Sequence, residues 1–183
     1  MVLSKNMQKL VAGSSTIRKL FEEGIELAKE VGAENVYDFS LGNPAAPVPE
    51  EVKKSIYDIL ENRNANFVHC YMPNAGYPEV REKVAANLNK KYNSSFTKDD
   101  IIMTVGAAGG INCVLRSLLE PEDEVLCFAP FFGEYNSYVM NFGGNLKVVP
   151  ADYETFQLNV EEADKYITER TKAVIITQED HII

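Results

Sequence analysis

Five small residues in a row, Gly106-Ala107-Ala108-Gly109-Gly110, follow the apolar run Ile101-Ile102-Met103-Thr104-Val105 and precede a helical pattern from Ile111 to Leu119. Side chains of that size let an anion approach the main chain, and the free N–H groups and dipole of a helix start favour a phosphate there. A tight strand-to-helix turn, in which Gly and Ala merely allow close packing, accounts for the same residues. The segment matches neither G-x-G-x-x-G nor the P-loop pattern, so on these residues alone both readings stand. Downstream, Ala129-Pro130-Phe131-Phe132-Gly133-Glu134-Tyr135 leaves a second apolar run with two adjacent aromatics. In an open parallel sheet ligands gather beyond the carboxyl ends of the strands, which would set one ring over a flat heterocycle held at the small-residue turn. Core packing is the commoner use of such a pair.

Other chemistries find less support. Ser95-Phe96-Thr97-Lys98 has the S-x-x-K spacing of serine hydrolases, but it precedes an apolar run rather than opening a buried helix and lacks the partner motifs, so it reads as a solvated loop. His69 and His181 are the only histidines, and neither has a second ligand at metal spacing; both read as surface or loop residues, and no metal site is expected. Cys70, Cys113 and Cys127 are odd in number and widely spaced, against a disulfide framework and against a zinc knuckle. A reducing cytoplasm suits them, and the sequon Asn93-Ser94-Ser95 then reads as a polar loop.

The elements that would position these residues alternate. Ser14 or Ser15 is placed to cap a helix carrying Ile17, Leu20, Phe21, Ile25, Ala28 and Val31, closed by Gly32. Val36 to Ser40 is extended, and Leu41-Gly42-Asn43-Pro44 is a loop. Pro49 suits the first turn of a helix from Glu50 to about Asn62, and Pro78 opens another through Tyr92. Strands are expected at Ile101–Val105, Val125–Phe128, Leu146–Pro150 and Ala173–Thr177, with helices between them, the last from Val160 to Thr168. Short strands apolar on both faces, alternating with helices, indicate an α/β fold with a mostly parallel sheet flanked by helices.

The 183 residues carry 18 Lys and Arg against 27 Asp and Glu, a formal net charge of −9. That balance disfavours a nucleic-acid surface, which needs clustered cations. The amino-terminal residues are interrupted by Lys5, Asn6, Gln8 and Lys9, so no signal-peptide core is expected, and no stretch approaches the roughly 20 apolar residues of a membrane helix. With 45% hydrophobic and 25% charged residues the chain has enough apolar side chain for a globular core.

Four segments taken together resemble the amino-terminal half of a fold-type I, pyridoxal 5′-phosphate-dependent aminotransferase of the class I/II, aspartate aminotransferase-like kind. They are Ser40-Leu41-Gly42-Asn43-Pro44, Tyr71-x4-Gly76-Tyr77-Pro78-x2-Arg81, Thr104-x-Gly106-Ala107-Ala108-Gly109-Gly110 and Asp123-Glu124-Val125-x4-Pro130-x-Phe132-x2-Tyr135, and they occur in the family's order and spacing between about residues 14 and 176. The resemblance implies that Gly42 lines the substrate side of the pocket with its backbone. It implies that Tyr71 reaches the cofactor phosphate of a second subunit, that the turn of Gly106, Ala107 and Ala108 holds the phosphate, and that Phe132 stacks on the pyridine ring. The hydroxyls that some members place at this turn are missing, so backbone donors would carry more of the phosphate affinity. By the same resemblance residues 1–45 belong to a small domain and 46–183 to part of the large, cofactor-binding domain, and the whole enzyme is a cytoplasmic homodimer moving an amino group from an amino acid to a 2-oxo acid.

After Ile176 the family pattern continues into an Asn-Pro-x-Asn-Pro-x-Gly type of segment, whereas this sequence reads Thr177-Gln178-Glu179-Asp180-His181-Ile182-Ile183. The Schiff-base lysine, the acid paired with the pyridine nitrogen and the carboxylate-binding arginine would all lie in the other half. No catalytic residue is therefore expected within these 183 residues, and the chain alone is expected not to transaminate. Two alternatives accompany this reading: a non-catalytic fragment that at most binds a partner or a phosphate, and an unrelated phosphate-binding α/β domain.

Overall fold

The computed structural model describes residues 3–12, 16–39, 46–152, 154–155 and 157–177. The chain forms two units, Met1–Met72 and Pro73–Ile183.

The first unit is helical. Helix α1 spans Lys5–Ala12 and α2 spans Thr16–Val31. The capping serines expected before α2 lie outside the described residues. Gly32 follows α2 with φ of 89°, a conformation that suits glycine, and leads into a 3-10 turn at Ala33–Asn35. Helix α3, Glu50–Asn62, has Pro49 as its N-cap and Glu50 and Glu51 in its first turn, where the helix dipole favours acids. Helix α4, Ala65–Val68, is capped by the Asn64 side chain, which accepts from the Asn66 N–H at 2.8 Å.

The second unit begins with α5, Pro78–Tyr92, the limits the sequence predicts, because Pro78 pre-sets the first turn and Asn93 ends it in the left-handed conformation at φ 52°. Asn89 then ties the following loop to the helix, donating to the Phe96 carbonyl at 2.7 Å and accepting from the Phe96 N–H at 2.7 Å and the Ser94 hydroxyl at 3.0 Å. Helix α6 is Gly106–Leu118, strand β1 is Glu124–Phe128, helix α7 is Glu134–Met140, strand β2 is Asn145–Val149, helix α8 is Val160–Ala163 and strand β3 is Thr171–Ile175.

The three strands form a parallel sheet in the order β2-β1-β3. Strand β1 is buried along its whole length because it is central and covered on both faces. Val125 packs on one side with Leu115 and Leu119 of α6 and its extension and Val139 of α7; Leu126 and Phe128 pack on the other with Val149 and Ala163. The sheet is thus flanked by helices on both faces, as the alternation of elements implies.

Two expected elements differ. Ile101–Val105 is extended but makes no strand ladder among the described residues: its apolar character suits a central strand, yet both neighbours of β1 are taken by β2 and β3, and Ile102 and Val105 are exposed. The helix expected over Val160–Thr168 stops at Ala163, followed by turns, where Thr168 turns its hydroxyl to the Glu124 carboxylate at 2.6 Å instead of continuing a helix.

Candidate functional site

The small-residue segment is the first turn of α6 itself, so this helix starts five residues earlier than the apolar periodicity shows. Gly106 has φ of 66°, which glycine adopts without strain, and a Cβ built there would meet nothing within 4 Å. Its N–H is used locally, donating to the Thr104 carbonyl at 3.0 Å. Ala107 and Ala108 follow, both exposed, and no side chain caps the helix start. First-turn N–H groups have no partner within a helix, so those of Ala107 and Ala108 lie without an intrahelical acceptor at the positive end of a 13-residue helix. The opposite flank is tight: the Thr104 hydroxyl donates to the Gly106 carbonyl at 3.1 Å, and a Cβ on Gly110 would approach Thr104 Oγ1 to 3.2 Å. The packing reading thus holds at Gly110, while around Gly106 there is open space.

The segment leading into this turn is clamped from α5. Arg81 donates through Nη1 to the Lys98 carbonyl at 2.8 Å and the Ile101 carbonyl at 3.4 Å. The Met103 N–H donates to the Ala75 carbonyl at 3.0 Å, and Gly76 lies so close that a Cβ would sit 2.6 Å from Met103 Cγ. The Gly76 and Arg81 of the sequence motif are thus the residues that fix the approach to the helix start.

The aromatic part lies past the carboxyl end of β1. Phe132 precedes α7 and is half-exposed, while Tyr135, one turn later, is buried. Their rings meet edge to face, with centroids 5.7 Å apart and planes at 82°. The Tyr135 hydroxyl is paired with Thr177 Oγ1 at 2.8 Å, just beyond the end of β3. Helices α6 and α7 contribute Leu115 and Val139 to one core cluster, so the helix with the small-residue start and the helix behind Phe132 cover the same face of the sheet. Of the other sequence candidates, Tyr71 is in the first unit and fully exposed, and Gly42 lies outside the described residues. Thr177 was not singled out from the sequence; as the polar residue ending the expected strand Ala173–Thr177, at a carboxyl end where α/β folds gather functional groups, it carried the signal that would have found it.

Little else competes as a chemical centre. Burial pushes the Cys127 thiol up to about 11, which keeps it neutral and unreactive in the middle of β1. Ser95 and Lys98 are exposed, and the neighbouring Thr97 and Asp100 form a reciprocal cap on a 3-10 turn. Among the described residues no group of His, Cys, Asp and Glu side chains is arranged to hold a metal ion, and no helix is long and apolar enough to cross a membrane.

A parallel sheet with helices on both faces, with a helix start free of side-chain caps and an aromatic past the central strand, is an α/β scaffold of the kind that binds ligands beyond the carboxyl ends of its strands. The profile of the family described as aminotransferase class I and II matches residues 33–178, and the chain belongs to that family. It is 35% identical over 164 residues to an aspartate aminotransferase of Pyrococcus abyssi, covering 88% of this chain and 40% of that protein. It is also 35% identical over 179 residues to an aromatic-amino-acid aminotransferase of Thermococcus litoralis, covering 96% of this chain and 43% of the relative. Among solved structures, an amino transferase from Eubacterium rectale superposes with a TM-score of 0.88 at 37% identity, over 95% of this chain and 44% of that one. An aspartate aminotransferase of Thermus thermophilus solved with maleate gives 0.79 at 28% identity, again over 95% and 44%. The chain thus spans about two fifths of the length of the curated relatives it matches.

Proposed function

We propose that this chain supplies the phosphate-binding and ring-stacking part of a pyridoxal 5′-phosphate-dependent aminotransferase, whose whole activity is amino transfer from an amino acid to a 2-oxo acid. The observation that carries the reading is the uncapped start of α6, where the N–H groups of Ala107 and Ala108 lie without an intrahelical acceptor beside an open Gly106. The donor set fits a phosphate: neutral main-chain N–H groups at a helix dipole hold a dianion without needing a charged side chain. Phe132, half-exposed beyond β1, fits one face of a flat heterocycle. When bound, pyridoxal 5′-phosphate supplies an electron-withdrawing ring that draws the bonding pair away from the amino acid's Cα. The chain's own contribution is to fix the phosphate at Gly106, Ala107 and Ala108 and to hold the ring plane with Phe132, so that the reacting carbon is presented in one orientation.

Two further roles belong to this proposal. Gly42 lines the substrate side through its backbone, and Tyr71, exposed in the single chain, donates its hydroxyl to the phosphate of the second subunit of a homodimer. Residues 1–45 act with the small domain and 46–183 with the large one, in a cytoplasmic enzyme of amino-acid metabolism. The names of the relatives, aspartate and aromatic-amino-acid aminotransferases, support this class without selecting a donor.

The test is a comparison of pyridoxal 5′-phosphate with pyridoxal by equilibrium dialysis against the 183-residue chain. Retention that depends on the phosphate, is displaced by inorganic phosphate and weakens in Phe132→Ala is the expected result. Equal retention of the two compounds would remove the phosphate site from the proposal.

A further inference from the structure

We propose that Tyr135 is a positioning residue: pinned through its hydroxyl to Thr177, it sets the tilt of the Phe132 ring. The inference rests on the reading that Phe132 offers a ring face to a bound heterocycle, but its geometry stands on this chain alone. Of the pair, Phe132 is half-exposed and Tyr135 is buried, so the outer ring takes its orientation from the inner one. The contact is edge to face, at 82°, the geometry in which the positive edge of one ring meets the negative face of the other. The main chain is held as well, since the Tyr135 N–H donates to the Phe132 carbonyl at 3.0 Å.

What keeps the inner ring from turning is its hydroxyl. Tyr135 and Thr177 are 42 residues apart in sequence, and their oxygens are 2.8 Å apart. Rotation of the Tyr135 side chain would break that bond and leave a polar group unpartnered in a part-buried position, an outcome that costs stability. Tyr138 closes a further side, its ring tilted at 52° with centroids 6.3 Å apart. The bond also spans two elements, from the first turn of α7 to the residues past β3, so it couples the exit of the edge strand to the ring beyond the central strand. The main core cluster on this face, Leu115, Leu119, Val125 and Val139, does not include either oxygen, and the sheet is expected to survive its loss.

The sequence contains no tryptophan, so Phe132→Trp creates a single fluorescent reporter at the ring in question. Time-resolved anisotropy on the nanosecond scale then reads the local freedom of that side chain in the 183-residue chain without any ligand. Tyr135→Phe and Thr177→Val, each placed on that background, should raise the amplitude of fast local motion to a similar extent. The two together should do no more than either alone, because both remove one bond. Thr177→Ser, which keeps the hydroxyl, should restore the ordered signal. Nuclear Overhauser cross-peaks between the Phe132 and Tyr135 rings, measured without the tryptophan, should weaken in Thr177→Val and persist in Thr177→Ser. A fall in the thermal midpoint with unchanged anisotropy and cross-peaks would mean that the pair serves stability only, and it would overturn the inference, as would additive effects of the two substitutions. Quenching of the tryptophan by pyridoxal 5′-phosphate is a separate arm. Ordered anisotropy with no quenching would remove the cofactor reading while leaving the positioning of the ring intact.

Discussion

At Ala108 the electrostatics of the helix start separate stability from binding. Ala108 is the third residue of α6, and no side chain caps the start of that helix. An aspartate at this position interacts favourably with the helix dipole, by about 0.3–1 kcal/mol, and brings its own negative charge to the place proposed for the phosphate. Ala108→Asp is therefore expected to leave the urea midpoint unchanged or slightly raised while abolishing retention of pyridoxal 5′-phosphate. Loss of both together would show that the substitution had simply disturbed the fold. The turn into α6 was legible in the sequence because five small residues between an apolar run and a helical pattern suit a tight entry into a helix. Its two flanks were not, since only the position of the Thr104 hydroxyl shows that Gly110 is small for packing and Gly106 for openness. The place of Phe132 past the second apolar run was legible too, but the pair of oxygens behind it was not: nothing in the spacing joins Tyr135 of α7 to a threonine just past β3.

Among the elements, the connection from α5 into α6 makes two glycines differ in a measurable way. Gly76 has φ of 95° and Gly106 has φ of 66°, so an added methyl group strains the backbone at either site. Around Gly106 there is open space, whereas at Gly76 the new Cβ would lie 2.6 Å from Met103 Cγ and 2.8 Å from Met103 Cβ, atoms too near the main chain to swing away. Gly106→Ala should cost about 1–2 kcal/mol for its conformation alone, and Gly76→Ala should cost clearly more in urea unfolding. An equal cost for the two would deny the clamp. The sheet offers a pH-dependent counterpart at Glu124, where β1 begins. The Thr168 hydroxyl, donating at 2.6 Å, and then the Lys147 ammonium at 3.3 Å hold the Glu124 carboxyl below its ordinary value. A depressed carboxylate binds fewer protons folded than unfolded, so its contribution is complete above the ordinary carboxylate pKa and is lost as pH falls through the lower native value. Glu124→Gln should be less stable at neutral pH and should flatten the acid limb of a midpoint-against-pH curve; parallel acid limbs would contradict the assignment. Strands β1, β2 and β3 were readable as apolar runs, but that Ile101–Val105 joins no ladder among the described residues was not, because apolarity on both faces says that a segment suits a sheet and says nothing about which neighbours are free to pair with it.

For the molecule as a whole, the proposed dimer turns on Tyr71, whose side chain is fully exposed in the single chain. Tyrosine carries a large apolar ring and one polar tip, a combination enriched where a second surface covers it. If its hydroxyl serves the phosphate of a partner subunit, the site is complete only in the dimer, and affinity for pyridoxal 5′-phosphate becomes a function of protein concentration. Each chain carries a formal charge of −9, so two copies repel over the distances that salt screens. Association should accordingly strengthen as ionic strength rises from low values, and phosphate-dependent retention should rise with it, even though salt competes with the phosphate at the helix start. Sedimentation equilibrium and dialysis, run over the same series of protein and salt concentrations, measure both quantities. In Tyr71→Phe the association curve should be nearly unchanged, because the ring is kept, while affinity becomes low and independent of protein concentration. Concentration-independent affinity in the unaltered chain, or an unchanged affinity in Tyr71→Phe, would assign the phosphate to a single subunit and take Tyr71 out of the site.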